Sequence, residues 1–235
     1  MPWQLGADER PTKSGVEFAR ELASVLDEAP NEEVVQRCVE SYPDVFGFAS
    51  AFSLVLPKFK LAEKFVPDFL VVGIPPYSQS HTPTVTMVEL EHPTMQLFTK
   101  AGDQTSQLSH AIRQVQDWRQ WVRENHSYLR AELARRVAAE PDPAPLGIGE
   151  KVVDLLSERL ARGPLAADTD LLERLTYGFG EQYLIVAGRR AALDVAQKLR
   201  LEEINRTFNC EIDIVTYDVL LDYASGRVDM LHFSG

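Results

Sequence analysis

The chain has 235 residues, 45 % of them apolar and 25 % charged, which suits an ordinary soluble α/β domain with a sizeable core and some helical additions. Its 24 Lys and Arg against 35 Asp and Glu leave a net charge of −11; that excludes a general nucleic-acid coating protein, which needs clustered cations against phosphate, but not a local basic cleft or a metal offsetting the charge. Cys38 and Cys210 are too few for a zinc cage and read as buried thiols, and with no bilayer-spanning stretch or leader-like run a soluble, cytoplasmic protein without a membrane partner is expected.

Residues 1–12, punctuated by Pro and Gly, read as a loose arm. Val16, Ala19, Leu22 and Leu26 recur at helical spacing. A second helix starts with Asn31 as N-cap and buries Val34, Val35, Cys38 and Val39; Pro43 ends it. Residues 51–56 read as a strand, with 58–65 as its returning partner. A strong strand over 68–72 is closed by Gly73 and the Pro75-Pro76 pair, and 78–83 is turn-like. Residues 84–91, rich in Thr and Val, form the next strand, stopped by Pro93. The clearest helix covers 103–125, with Leu108, Ala111, Ile112, Val115, Trp118 and Val122 along one face.

Residues 127–181 read as helical pieces over 129–138, 152–160 and 171–177, an insertion or cap. A strand over 183–187, a helix over 191–205, a strand over 211–217 and a short helix over 218–224 complete the chain. The sum is an α/β fold, a mixed central sheet flanked by helices, whose later strands need helical crossovers. The expected organisation is an arm and short helix over 1–30, then one domain over 31–235 carrying the 127–181 insertion.

Three carboxylates in the apolar strands carry the candidate chemistry: Asp68 at the head of one, Glu89 and Glu91 at the tail of the next. A buried charge is costly unless paired or bound to a cation, and Mg²⁺ takes one or two carboxylates together with water and phosphate oxygens. Residues two apart on a strand share a face, so Glu89 and Glu91 are expected to point the same way, roughly 6.5–7 Å apart. An antiparallel hairpin would bring Asp68 beside them. The competing reading is a solvated sheet end, with Asp after Pro as a turn residue.

Gln114, one turn before Trp118, borders the apolar face and could reach the acids; as a plain surface residue it would simply favour the helix. Glu33 either completes a metal shell or complements the dipole of its own helix. His92 before Pro93 reads as a turn residue ahead of a proton shuttle. Lys58, Lys60 and Lys64 precede Asp68, and Arg189 follows Gly188. All four are candidate phosphate contacts, and the lysines could also supply an ammonium to the acids; the plainer reading of the lysines is a solvated edge.

In the order and spacing of its elements the chain resembles the Shedu immune nucleases of the PD-(D/E)XK superfamily. The likeness rests on the helix from Asn31 to Pro43, the strand Val66-Pro-Asp-Phe-Leu-Val-Val72, and Val88-Glu-Leu-Glu-His-Pro-Thr94 followed by Leu97-Phe98. It continues through the helix Leu108 to Trp118, the strand ending in Gly188-Arg189, and Thr216-Tyr-Asp-Val-Leu220. The resemblance implies a restriction-endonuclease-like core, Mg²⁺- or Mn²⁺-dependent cleavage of DNA, defence against phage, and assembly as a homo-oligomer. Asp68 and Glu89 match its metal ligands, Gln114 its helix glutamine and Glu33 the acid of its first helix.

Glu91 departs from the pattern: the family has Lys there, a residue that positions the attacking water and stabilises developing negative charge. A carboxylate in that place acts as a general base, binds a second metal, or marks a site that only binds. The expectation is a metal-dependent endonuclease using Asp68, Glu89, Glu91 and Gln114. The alternatives are an inactive nuclease-fold module that binds nucleic acid or a partner protein, and a sensor subunit contacting an effector through 127–181.

Overall fold

The computed structural model describes residues 14–28, 31–48, 51–61, 65–74, 82–139, 174–175, 177–208 and 211–226. Lys64, Cys210, the arm expected over 1–12 and the helical piece expected over 152–160 lie outside the described residues, as do most of 78–83 and most of 171–177.

Helix α1 (Gly15–Asp27) begins where Ser14 and Glu17 cap each other reciprocally, which satisfies two otherwise orphaned N–H groups. Asn31 caps α2 (Glu32–Glu40), its side chain accepting from the Val34 N–H at 3.1 Å. A 3-10 helix (Pro43–Phe48) leads into β1 (Ala51–Pro57). Then come β2 (Phe69–Ile74), β3 (Thr84–Leu90) and the long helix α3 (Ser106–Ala139). The chain continues as β4 (Gly180–Val186), α4 (Val195–Thr207), β5 (Ile212–Val215) and α5 (Tyr217–Ala224).

The five strands lie in sequence order, with β1, β2 and β3 antiparallel and β3, β4 and β5 parallel. Parallel neighbours cannot be joined by a tight turn, and α3 and α4 lie in the two connections that need a crossover. The result is the expected mixed sheet flanked by helices, an α/β fold with the arrangement of a nuclease-like core.

Two expected elements differ. The partner of β1 is β2, with Pro57 opposite Phe69, while among the described residues of 58–65 Leu61 and Phe65 form an isolated bridge. The reason is local: Lys58 adopts a φ of 48°, which turns the chain out of the strand. The helices expected over 103–125 and 129–138 are one run with a break at Asn125, φ −123° and ψ 25°. There the Asn125 side chain donates to the Trp121 carbonyl at 2.9 Å, competing with the helical ladder.

Strand alternation divides the core into two layers. Leu70, Val72, Val85, Met87 and Ile185 pack against Leu108, Ala111, Val115, Trp118 and Val122 of α3. On the other face Phe69, Val71, Val88, Leu90 and Val186 meet Phe18 and Leu22 of α1, Val35 and Val39 of α2, and Leu220 of α5. Among the described residues no helix is long and apolar enough to cross a membrane.

The segment after β3 is held down by one glycine. Gly188 has a φ of 62°, and an added Cβ would lie 2.6 Å from the Met95 carbonyl oxygen. Gly188→Ala is therefore expected to cost about 1–3 kcal/mol, the range for a side chain forced into a sparsely populated conformation. A lowered urea midpoint with an unchanged slope is the checking measurement.

Candidate active site

Phe69 stands opposite Val88, so one step further along the same antiparallel register Asp68 meets Glu89. On its other side, one step beyond the Pro57 and Phe69 pair, Asp68 meets Lys58, whose N–H donates to the Asp68 carbonyl at 2.8 Å. A polar row, Lys58 to Asp68 to Glu89, thus crosses one end of the sheet. Asp68 shares its face with Leu70, and Glu89 with Met87, both on the α3 side.

Asp68 is only 8 % exposed. One of its carboxylate oxygens pairs with the Lys58 ammonium, and the other accepts from the Leu90 N–H at 2.7 Å. Glu89 Oε1 accepts from Gln114 Nε2 at 2.6 Å. Gln114 can reach because Ala111, Val115 and Trp118 bed the same stretch of α3 onto the sheet. Burial pushes the Glu89 carboxyl up to about 9, reinforced by the charges of Asp68 and Glu91 and opposed by Lys58 and Gln114.

Glu91 directly follows the last residue of β3. Its backbone is held on both sides: its N–H donates to the Val186 carbonyl at 2.9 Å, and its carbonyl accepts from the Tyr217 hydroxyl at 2.7 Å. Burial, then the charges of Glu32 and Asp68, push its carboxyl up to about 7. Carboxylates crowded out of water against one ammonium form a site short of positive charge.

Other candidates fall elsewhere. Glu33 sits on the exposed side of α2 in an ion pair with Arg37. Glu32, which sequence reasoning passed over, is the α2 acid whose charge acts on Glu91. The signal was available: Glu32, Val35, Gln36 and Val39 follow the i, i+3, i+4, i+7 rule, and the last three are buried. Glu33 is off that stripe.

Lys60 is exposed. Arg189 does not project outward; it reaches Asp218 at 3.4 Å and Asp27 at 3.3 Å, tying α5 to the end of α1. His92 forms a turn, its Nδ1 accepting from the Thr94 N–H at 3.1 Å. At the opposite end of β4, Arg123, Phe179, Glu181, Tyr183 and Glu211 line a separate cleft, where Glu211 pairs with both Arg123 and the neighbouring Arg119.

Among the described residues no three His, Cys, Asp or Glu side chains form a ready-made cation cage. The acid row offers the smaller set that Mg²⁺ uses with water and phosphate, one or two carboxylates. Each ionised carboxylate has about four lone-pair sites, so the contacts to Lys58, Leu90 and Gln114 leave Asp68 and Glu89 able to coordinate an ion. The donor set fits a hard divalent cation.

The crowding has a consequence for stability. A carboxyl at about 9 in the fold, against an ordinary 4.5, keeps a proton that the unfolded chain releases, so stability falls as pH rises between those values. In metal-free buffer the urea midpoint is expected to drop across that window. Glu89→Gln, which cannot ionise, is expected to reduce the slope.

The family model described as Shedu protein SduA, C-terminal, matches residues 29–221, which include all five strands and the whole polar row. No curated protein matches the chain.

Proposed function

The chain belongs to the Shedu SduA C-terminal family, and we propose from there that it is a divalent-cation-dependent DNA endonuclease of a prokaryotic anti-phage defence system, built on a PD-(D/E)XK-type core. The observation that carries the reading is the cross-strand acid pair. Asp68 and Glu89 come from adjacent strands to one point, each oriented by a hydrogen bond from outside the pair, the Leu90 N–H and Gln114.

Asp68 and Glu89 would hold the Mg²⁺ or Mn²⁺. When bound, such an ion polarises the scissile phosphate and lowers the pKa of a coordinated water. Gln114 donates to Glu89 and holds its carboxyl in place. Glu91, anchored through its backbone between β4 and α5, is the residue that takes the proton of the attacking water. Exposed Lys60 is available to the DNA backbone. A homo-oligomer is proposed on the resemblance, and exposed Val195, Leu199 and Tyr177 are compatible with a further contact surface.

A nicking assay on supercoiled plasmid tests the reading, with Mg²⁺ or Mn²⁺ against a chelator. Cleavage is expected only with the ion. DNA binding without cleavage under either ion would favour the second reading, a non-cleaving module, for which Glu91 in the Lys position is the supporting observation.

A further inference from the structure

We propose that Lys58 supplies the catalytic ammonium that this chain lacks at position 91, so that the cation enters the acid row from the end of β1 instead of the end of β3. The inference rests on the nuclease reading above and assigns one role within it.

Register is the first observation. Lys58 is the next residue in the row that holds Asp68 and Glu89, joined to Asp68 through both backbone and side chain. Exposure is the second. The Lys58 side chain is 52 % exposed while its ammonium pairs with an acid that is almost fully buried. An ammonium has three donors, so those not spent on Asp68 remain for a phosphate arriving from solvent. Backbone conformation is the third. Among the described residues Lys58 is the one non-glycine residue with positive φ, a conformation in which a Cβ is disfavoured. Strain of this kind clusters at functional sites.

The work usually done along one strand is then divided. Water adds its oxygen to phosphorus as the bond to the leaving alkoxide breaks. Glu91 takes the proton of the water, and the alkoxide is protonated by solvent. Lys58 keeps its own protons and donates hydrogen bonds to a non-bridging oxygen as negative charge builds there.

Lys58→Met tests this in the full chain with Mn²⁺ and plasmid DNA, with a thermal melt to show that the variant folds. Its kcat is expected to fall about 100- to 1000-fold, the loss typical of removing one donor to a developing oxyanion, with little change in KM. Calorimetric Mn²⁺ affinity is expected to hold or tighten, because a like charge beside the ion is gone. Lys58→Arg is expected to keep more activity than Lys58→Met.

Wild-type kinetics in Lys58→Met, with Glu89→Gln inactive, would overturn the role of Lys58 alone. So would Mn²⁺ affinity that falls in step with kcat, since Lys58 would then only hold Asp68 in place. A wild-type chain that is inert but becomes active on Glu91→Lys would overturn it too. If no variant cleaves with either ion, this inference and the nuclease reading fail together.

Discussion

Glu89→Gln is expected to lower metal-dependent DNA cleavage by about a thousandfold or more, equivalent to ~4 kcal/mol of transition-state stabilisation, while leaving the fold at least as stable at neutral pH. The two halves have one cause. Without a cation, burial and the neighbouring acids hold the Glu89 carboxyl up at about 9, so at neutral pH it carries a proton and resembles an amide. Glutamine keeps that shape and polarity but can never become the anionic ligand that a cation requires. Its amide can still meet Gln114, which can turn its own amide to present an oxygen.

Asp68→Asn separates differently. It keeps an acceptor for the Leu90 N–H but removes the charge that faces Lys58, so cleavage and stability are both expected to fall. Nicking rates and urea midpoints measured on the two variants check both statements. Loss of folding in Glu89→Gln at neutral pH would contradict the account of its protonation.

Trp118→Ala is expected to be the most destabilising single change, costing about 3–5 kcal/mol, the range for truncating a large buried aromatic. Trp118 is 1 % exposed and sits one turn beyond Gln114, in the layer where α3 meets β2, β3 and β4. Its loss leaves a cavity that close-packed neighbours fill only in part. The same contact sets where α3 lies on the sheet, and so whether Gln114 reaches Glu89 at 2.6 Å. Urea unfolding followed by far-UV circular dichroism reads the stability, and cleavage by the folded fraction is expected to fall as well. A midpoint near that of the wild type would mean that α3 is anchored elsewhere.

The sheet was legible because its strands are short apolar runs bounded by Pro and Gly, and the helices because their apolar stripes are regular. The pairing of Asp68 with Glu89 followed from one assumption, an antiparallel hairpin, which the register of β2 on β3 bears out. What was not legible depended on where elements stop. Residues 58–65 look like a strand until the backbone of Lys58 turns away, and that turn is what brings the Lys58 side chain to Asp68.

The resemblance points to Glu33 as the first-helix acid, where the buried stripe of α2 favours Glu32. Arg189 has the sequence look of a phosphate contact, yet Asp218 and Asp27 lie far from it along the chain and engage it only through the fold. Local pattern located the acids; long-range neighbours decided which charges remain available.

The central claim is that Asp68 and Glu89 together bind a divalent cation. Anomalous diffraction from crystals soaked in Mn²⁺ tests it most directly. The account expects one strong peak in contact with both carboxylates, absent from Glu89→Gln crystals treated in the same way. A saturating soak that leaves no peak between the two acids, or a peak that persists unchanged in Glu89→Gln, would contradict it.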